Sequence, residues 1–343
     1  MAELKYKTAS HTSQIFTGEP WTKVNQLIDP ANTIIITDSN VKHFYGKDFP
    51  DCLVLTLSPG ETSKNLRTVE HILKQLLKQD FDRSGFILGI GGGVVCDIAG
   101  FVASVYMRGV SFGFVSTTLL SQVDASIGGK NGVNLAKIKN VVGCFAQPDF
   151  VICDQVMLQT LPEDEYISGL GEVIKHALIR DADLFDLLED NISFIQKRDA
   201  GLLDRLITGS ILIKKEIVEA DEKETGPRRL LNFGHTVGHA IEAVSGIKHG
   251  YAIAYGMEVA AQLSIEDGLL DPGHLQRIRG LLAEVNLLPG VKVSDNQLIS
   301  ALMKDKKRDR EKIHFVFLED IGKAVVKQIP VTGLLEKLKE RLF

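Results

Sequence analysis

The sequence predicts an α/β fold, in which an N-terminal doubly wound, Rossmann-like domain is followed by an α-helical domain. In the first half, short apolar runs bounded by turn residues alternate with segments of helical periodicity, which is typical of a βα repeat. From about Leu161 the pattern changes to that of long amphipathic helices. A chain of 343 residues is long for one hydrophobic core. We therefore predict two domains, over residues 1–156 and 157–343.

Four apolar runs in the first half predict buried strands. Continuous apolar runs suit a parallel sheet, because both faces of such a sheet are covered. After the second run, five apolar residues on one helical face predict a helix. The strands are Thr33–Thr37, Cys52–Leu57, Phe86–Ile90 and Phe112–Val115, and the helical residues are Val69, Ile72, Leu73, Leu76 and Leu77.

The second half carries few strand signals. Apolar residues at helical spacing predict long amphipathic helices there, including Ala200–Glu219 and Tyr251–Ser264. The sequence has neither an internal repeat nor a low-complexity linker. The predicted domain boundary therefore depends on the change from short apolar runs to helical spacing of apolar residues.

Composition argues against several classes of protein. With 44% hydrophobic residues, 24% charged residues and a formal net charge of -5, the chain lacks the basic surplus that indicates a nucleic-acid partner. The first residues lack an apolar signal core and no apolar stretch reaches bilayer length, so we expect a cytoplasmic protein with no membrane partner. The four cysteines lack C-x-x-C spacing, so we expect free thiols and no cysteine-bound metal.

A glycine run follows the third predicted strand. Gly91-Gly92-Gly93 precedes a predicted helix over Val94–Ala103, and glycines there let the backbone and the helix N-terminus approach a pyrophosphate. The spacing differs from G-x-G-x-x-G, and a tight turn is the alternative. Asp38 follows the first predicted strand, where it suits ribose hydroxyls, with a helix cap as the alternative. The two features favour a dinucleotide site.

A cationic cluster lies between the predicted strands and the helical half. Arg108, Lys130 and Lys139 stand among glycines and small residues, and Asp124 and the Gly128-Gly129 turn lie close to Lys130. Solvated side chains are the usual alternative for such residues. Charged residues mixed with glycines do not fit one face of an amphipathic helix. They favour a loop that binds phosphate.

Three distant segments supply residue types that suit a catalytic metal. Glu172, His235 and His249 offer one carboxylate and two imidazoles, which leave a coordination position open on a zinc ion. His176 lies four residues after Glu172 and competes with His249 as a ligand. The spacing does not choose between these two histidines.

The pair His235 and His239 is weak evidence taken alone. Residues at this spacing share a helical face, but most such pairs are packing or solvated surface. The zinc peptidase motif has Glu directly after the first His, whereas this chain has Thr236. We therefore do not expect a zinc peptidase.

Several spaced motifs resemble 3-dehydroquinate synthase, a family of the sugar phosphate cyclase superfamily. The match runs in order from about Asp38 to about Lys307. The resemblance implies an NAD-binding α/β domain, a helical domain that binds Zn²⁺ or Co²⁺, and a homodimer in which Arg108 reaches the phosphate site of the neighbouring subunit. The motifs are Gly91–Phe101, Tyr106–Gly109, Thr117–Asp124, Gly128–Lys130, Lys139-Asn140 and Asn232–His235.

The resemblance also assigns individual residues. It implies the metal ligands Glu172, His235 and His249, which excludes His176. The implied NAD contacts, with the glycine run included, are Asp38, Asn40, Glu61, Lys64, Gly91, Gly92, Gly93, Asp97, Thr117, Thr118, Lys130 and Lys139. The implied substrate contacts are Arg108, Asp124, Lys130, Lys139, Asn140, Lys175, Lys214, Glu224, Arg228, Asn232, His239 and one lysine of the pair Lys306 and Lys307, of which we take Lys306.

This chain departs from the common family pattern at three positions. It has Ser116 in place of Pro, Gly171 in place of Ala, and Tyr251 in place of Glu after the His-Gly pair. None replaces an implied ligand. Tyr251 is expected to alter the surroundings of His249, where changes shift metal affinity by about 10- to 100-fold.

The implied reaction converts the sugar phosphate 3-deoxy-D-arabino-heptulosonate 7-phosphate to 3-dehydroquinate and phosphate. Its steps are transient oxidation by NAD, phosphate elimination, re-reduction, ring opening and aldol closure. Two enzymatic alternatives remain: another sugar phosphate cyclase, and a metal-dependent polyol or glycerol-phosphate dehydrogenase. The charged residues implied as substrate contacts are all present, which argues against a degenerate, non-catalytic copy of the enzyme.

Overall fold

The structure, a computed structural model, describes residues 2–9, 11–136, 138–291, 295–306 and 312–342. The chain forms two compact units. Unit 1 comprises Met1–Pro162 and Ala200–Glu222, and unit 2 comprises Glu163–Asp199 and Lys223–Phe343. The assignment of NAD binding to residues 1–156 and of metal and substrate binding to residues 157–343 stays a prediction.

The strands lie in both units. Nine of the described strands belong to unit 1 and two to unit 2. They are β1 (Ala2–Lys7), β2 (Thr12–Thr17), β3 (Thr33–Asp38), β4 (Leu53–Leu57), β5 (Phe86–Gly91), β6 (Ser111–Ser116), β7 (Lys130–Leu135), β8 (Ile138–Phe145), β9 (Phe150–Cys153), β10 (Lys312–Asp320) and β11 (Lys323–Pro330).

The helices are distributed differently, since most of those described belong to unit 2. They are α1 (Ser39–Tyr45), α2 (Leu66–Lys78), α3 (Gly93–Val105), α4 (Glu163–Arg180), α5 (Ala182–Asp190), α6 (Ile192–Gln196), α7 (Ala200–Ala220), α8 (His235–Ser245), α9 (His249–Glu266), α10 (Pro272–Glu284), α11 (Asp295–Lys306) and α12 (Val331–Leu342). No helix of the described ranges is both long and apolar enough to cross a membrane.

Unit 1 is built on a seven-stranded sheet in the order β1-β2-β9-β6-β5-β3-β4. β1 and β2 are antiparallel, and every other neighbouring pair is parallel. The four strands predicted from apolar runs are β3, β4, β5 and β6, so these predictions are confirmed. The predicted helix after Gly93 is confirmed as α3, which packs against β5, β6 and β7.

The order of the parallel strands reverses between β3 and β5. The chain runs from β3 outward to β4, then returns to the other side of β3 for β5 and continues to β6. In doubly wound sheets, ligands bind beyond the carboxyl ends of the strands at such a reversal. Those ends are Asp38 and Gly91, the two places where the sequence predicts a dinucleotide site.

A cluster of buried apolar side chains holds this sheet in place. Ile35, Leu88 and Val115 come from three neighbouring parallel strands and pack with Trp21 and Phe150. Residues at alternate positions point to one face of a sheet, so the cluster covers one face of the unit 1 sheet. Three of the strands that carry this cluster, β3, β5 and β6, lead into the polar residues described below.

Unit 2 is mainly helical, as predicted, but it also contains the hairpin of β10 and β11. The few strand signals of the second half agree with this hairpin, which was not predicted itself. The apolar run Phe315–Leu318 is buried, whereas β11 is only partly buried and gives a weak signal. α9 packs against α4, α8, α10 and β10.

Candidate active-site residues

The glycine turn of unit 1 lies directly against a threonine pair. A Cβ atom on Gly92 would lie 2.7 Å from Cγ2 of Thr118, and one on Gly91 would lie 2.5 Å from the side chain of Val95. The amide of Thr117 donates to the carbonyl of Gly91 over 3.0 Å. The structure therefore brings these predicted residues together at the N-terminus of α3, and side chains at the glycines would close the turn.

Asp38 caps the helix that follows β3. Its Oδ1 accepts hydrogen bonds from the amides of Asn40, at 2.9 Å, and Val41, at 3.0 Å. The alternative of a helix cap is thus confirmed. A cap uses one carboxylate oxygen here, so it is compatible with a second role for Asp38.

A buried ammonium group connects residues predicted for the cofactor and for the substrate. Lys64 forms an ion pair with Asp97 and donates to Oδ1 of Asn140 at 2.6 Å. Burial raises the pKa of Asp97 to about 6, and the charge of Lys64 opposes this shift. Asn134 completes the group, since its side chain donates to Glu61 at 2.7 Å and accepts from the amide of Asn140 at 2.8 Å.

Asp124 and Lys214 are also brought together. The ammonium group of Lys214, on α7, lies 2.5 Å from both Oδ1 and the carbonyl oxygen of Asp124. Asp124 belongs to a π-helical turn over Ser121–Ala125, a conformation that is frequent at functional sites. Asp124 therefore holds the Lys214 ammonium group beside an irregular turn.

The hairpin of β7 and β8 separates three predicted residues. Lys130 begins β7 opposite Phe145, whereas Lys139 and Asn140 lie near the other end of the hairpin, where Leu135 pairs with Ile138. All three are exposed. The structure thus places Lys130 at one end of the hairpin and Lys139 and Asn140 near the other.

Arg108 lies in a strained turn that follows α3. Met107 has φ of 47° and Arg108 has φ of 66°, values in the left-handed region that non-glycine residues rarely adopt. Both side chains are exposed. The turn therefore holds Arg108 outward, and within the described residues it stands apart from the groups above.

Unit 2 brings the predicted metal ligands together. Glu172 lies in the middle of α4 and is fully buried, while His235 and His249 are the first residues of α8 and α9. Nε2 of His235 lies 3.8 Å from Oε1 of Glu172, and Nε2 of His249 lies 3.4 Å from the same oxygen. Ligand atoms around one metal ion have similar separations, since each lies about 2 Å from the metal.

Glycines allow the helices that carry these ligands to approach. A Cβ atom on Gly250 would lie 1.8 Å from the carbonyl oxygen of Ser168 in α4, and one on Gly171 would lie 2.9 Å from the carbonyl oxygen of Gly250. On the other side of α9, a Cβ atom on Gly256 would lie 1.9 Å from the carbonyl oxygen of Gly234. Each predicted ligand is therefore next to a glycine of a close helix contact.

Hydrogen bonds orient both histidine rings. Nδ1 of His235 lies 3.1 Å from the carbonyl oxygen of Phe233, and Nδ1 of His249 lies 3.2 Å from Oε2 of Glu242. Because each acceptor needs a proton on Nδ1, the Nε2 atoms carry the lone pairs in the neutral rings. Both Nε2 atoms face Glu172. The sequence did not predict Glu242, which contacts Nδ1 of His249, and the expected effect of Tyr251 on the surroundings of His249 stays a prediction.

The charges of this cluster are strongly coupled. Burial would raise the pKa of Glu172, but Lys175, which forms an ion pair with it, and the two histidines hold that pKa well below its usual range. Burial, followed by the charge of Lys175, lowers the pKa of His235. Burial would also lower the pKa of His249, but hydrogen bonds to Glu172 and Glu242 raise it to about 9. The anionic Glu172 therefore faces a neutral His235 ring and a His249 ring whose protonated form it stabilises, so a metal would displace that proton from Nε2 of His249.

The remaining predicted residues of unit 2 differ in burial. The exposed ring of His239 has its centroid 5.1 Å from that of His235 and 5.7 Å from that of His249. Arg228 is only 2% exposed. Lys306 ends α11, and its side chain and Lys307 lie outside the described residues.

Glu224 and Asn232 flank the turn that carries Arg228. The side chain of Asn232 donates to Oε1 of Glu224 over 2.5 Å. Glu224 has φ of 61°, a conformation that is uncommon for a residue other than glycine. The turn over Pro227–Asn232 contacts both β10 and β11, so the unpredicted hairpin supports predicted substrate contacts.

Comparison with known proteins covers both units. A family model described as 3-dehydroquinate synthase N-terminal matches residues 54–168, and one described as 3-dehydroquinate synthase C-terminal matches residues 169–308. The 3-dehydroquinate synthase of Alkaliphilus metalliredigens is 40% identical over 311 residues, which are 87% of this chain and 86% of that protein. The chain belongs to the 3-dehydroquinate synthase family.

Solved structures of sugar phosphate cyclases share this family's fold. A crystal structure of 2-deoxy-scyllo-inosose synthase, complexed with carbaglucose-6-phosphate, NAD⁺ and Co²⁺, has a TM-score of 0.88 at 26% identity and covers 99% of this chain and 100% of that chain. The 2-epi-5-epi-valiolone synthase of Streptomyces hygroscopicus, with NAD⁺ and Zn²⁺ bound, has a TM-score of 0.84 at 26% identity, with 99% and 98% covered. The predicted α/β fold class is confirmed for this 3-dehydroquinate synthase family member.

Proposed function

We propose that this family member converts 3-deoxy-D-arabino-heptulosonate 7-phosphate to 3-dehydroquinate and phosphate, with transient oxidation, elimination, re-reduction and ring closure. The observation that carries the proposal is the convergence of Glu172, His235 and His249, in a chain 40% identical to a curated 3-dehydroquinate synthase. The identity to 2-deoxy-scyllo-inosose synthase is lower, at 26%.

Glu172, His235 and His249 are the proposed metal ligands. The donor set fits a catalytic zinc ion, because one carboxylate and two imidazoles leave positions for substrate oxygens. Co²⁺, which accompanies the 2-deoxy-scyllo-inosose synthase structure, is compatible with the same donors. When bound, the metal would polarise a substrate hydroxyl and lower its pKa. Lys175 keeps Glu172 anionic and ready to coordinate.

NAD is the proposed second cofactor, as in the two cyclase structures. Its support in this chain is the reversal of strand order between β3 and β5, with Gly92 and Gly93 at the N-terminus of α3. That N-terminus offers free amides to a pyrophosphate. NAD would accept a hydride and return it, so no NADH accumulates.

Other side chains would bind the substrate. Lys130, Asn140, His239 and Arg108 are the proposed phosphate contacts, which suit a dianion because three of them are basic. Arg228 and Lys139 are proposed for the carboxylate, and Lys175 and Lys214 for nearby hydroxyl and carboxylate oxygens. Asp124 would hold the Lys214 ammonium in place, since the two lie 2.5 Å apart. A phosphate oxygen of the substrate can take the proton during elimination, so no strong protein base is required.

The proposed assembly is a cytoplasmic homodimer. Arg108 is exposed in a turn where its backbone and that of Met107 adopt left-handed angles. The exposed apolar residues Val105 and Met107 lie next to it in the chain. An outward arginine beside apolar side chains suits a contact with a second copy. In that arrangement Arg108 would serve the neighbouring subunit.

Phosphate release from defined substrates tests the function. We expect NAD-dependent release from 3-deoxy-D-arabino-heptulosonate 7-phosphate without net NADH. Glucose 6-phosphate and sedoheptulose 7-phosphate lack the carboxylate, and a site with a buried charged partner rejects such analogues by roughly 10⁴-fold. Comparable release from either sugar would overturn the assignment, and steady NADH formation would favour a dehydrogenase.

Two neighbouring arginines provide a matched pair for the same assay. Arg228→Met should lower kcat/KM by about 100-fold, the effect of losing a charged hydrogen bond worth about 3 kcal/mol. Arg229→Met is the control, because the Arg229 guanidinium contacts His314 at 3.1 Å. Equal losses in both variants would contradict the role of Arg228.

A further inference from the structure

One face of α8 carries three side chains that point to the same cluster. His235, His239 and Glu242 are spaced at i, i+4 and i+7, which places them on one side of a helix over two turns. The Glu242 side chain is 12% exposed, and its Oε2 lies 3.2 Å from Nδ1 of His249 on α9. α8 therefore supplies one proposed ligand, His235, and the partner of another, His249.

The partner decides which nitrogen of His249 is available. An ionised carboxylate only accepts hydrogen bonds, so Glu242 requires the proton on Nδ1. Nε2 is then the atom left for a metal, and it already lies 3.4 Å from Oε1 of Glu172. His235 has a weaker orienting partner, the neutral carbonyl of Phe233 at 3.1 Å. A charged acceptor makes a stronger bond and makes the imidazole a better donor to a metal.

We propose that Glu242 is a positioning residue for the metal site, which holds His249 in the orientation and tautomer that leave Nε2 free to coordinate. This inference rests on the proposed roles of Glu172, His235 and His249 as ligands. Glu242 touches neither the metal nor the substrate in this arrangement. Its loss should therefore weaken metal binding first, and should lower activity only through that loss.

Metal affinity measured by chelator competition, with Zn²⁺ or Co²⁺ added to the metal-free protein, tests the role. Glu242→Leu removes the acceptor at similar side-chain volume and should weaken binding by about 10- to 100-fold, the usual effect of losing such a partner. Glu242→Gln keeps an oxygen that accepts from Nδ1 and should retain most of the affinity. Glu258→Leu is the control, because Glu258 lies on α9 and bonds Arg279 at 2.6 Å instead.

Two further readouts separate positioning from folding. The absorption spectrum of the Co²⁺-loaded protein should change in Glu242→Leu and stay close to the wild type in Glu242→Gln. The melting temperature of the metal-free Leu variant should stay close to that of the Glu258→Leu control, whereas the stabilisation on adding metal should be smaller. Glu242→Ala removes the carboxylate without adding an apolar group and supplies the same comparison if the Leu variant does not fold.

The outcomes distinguish this inference from the proposed function. A wild-type protein that binds no metal ion would overturn the metal site, and the role of Glu242 with it. A wild type that binds one metal ion with an affinity equal to that of Glu242→Leu and Glu242→Ala would overturn the role of Glu242 alone. Equal weakening in Glu258→Leu would also overturn it, since the effect would then not depend on His249.

Discussion

Asp97 illustrates the electrostatics of a single residue in unit 1. Its side chain is 17% exposed, and burial raises its pKa from 3.8 to about 6 despite the adjacent Lys64 ammonium. Between these values the folded chain holds a proton that the unfolded chain has released. The contribution of this carboxyl to the free energy of unfolding is therefore greatest below the unfolded pKa and is lost as pH rises to about 6.

Asp97→Asn should remove this pH dependence while it keeps a hydrogen-bond acceptor for Lys64. A shift of about two pKa units corresponds to about 3 kcal/mol. Denaturant unfolding at about pH 4 and about pH 7 should show the wild type losing more stability than the variant, by up to that amount. Parallel stability curves for the two proteins would contradict the raised pKa.

Individual site residues differ in how far the sequence predicts them. Glu172 and His235 were predicted because one carboxylate with two imidazoles suits a catalytic metal. His249 was chosen over His176 only through the family resemblance. Glu242 and Asn134 were not predicted, since the hydrogen bonds through which they act depend on the fold. The spacing of Glu242 seven residues after His235 was a usable signal, but only once the N-terminus of α8 was known.

At the scale of elements, the contact of α4 with α9 brings Glu172 and His249 together. Gly250→Ala would place a Cβ atom 1.8 Å from the carbonyl oxygen of Ser168. Backbone atoms cannot rotate away, so we expect a loss of stability of about 3 kcal/mol or more, and weaker metal binding as the helices separate. Thermal unfolding and chelator competition measure the two effects.

Gly280→Ala is the matched control for that substitution. Gly280 lies inside α10, and a Cβ atom there would meet nothing within 4 Å. Alanine is the better helix former by about 1 kcal/mol, so this variant should be slightly more stable with unchanged metal affinity. A Gly250→Ala protein that behaves in the same way would show that the close helix contact is dispensable.

The elements that the sequence predicted share strong local patterns. β3 and β5 are buried along nearly their whole length, so continuous apolar runs revealed them. β7 and β8 contain exposed polar residues and glycines, and β1 lies at an edge of the sheet. Their pairing depends on distant partners, which local periodicity does not record.

At the scale of the whole molecule, mixed variants test the proposed dimer. Arg108→Ala and Glu172→Gln chains should each be inactive alone, while exchanged subunits should recover activity if Arg108 serves the neighbouring subunit. Random exchange at equal amounts makes half of the dimers hybrid with one intact site each, so roughly a quarter of the wild-type activity is expected. Absence of recovery, with exchange verified by mass, would show that Arg108 acts within its own chain.

The order of segments along the chain constrains how the protein can fold during synthesis. α7 belongs to unit 1, yet Glu163–Asp199, which belongs to unit 2, precedes it. Domains usually fold in the order in which they leave the ribosome. Here unit 1 cannot be completed when Pro162 emerges, because Lys214 reaches Asp124 only after α7 has been made. The growing chain must therefore carry α4, α5 and α6 before either unit has all its parts.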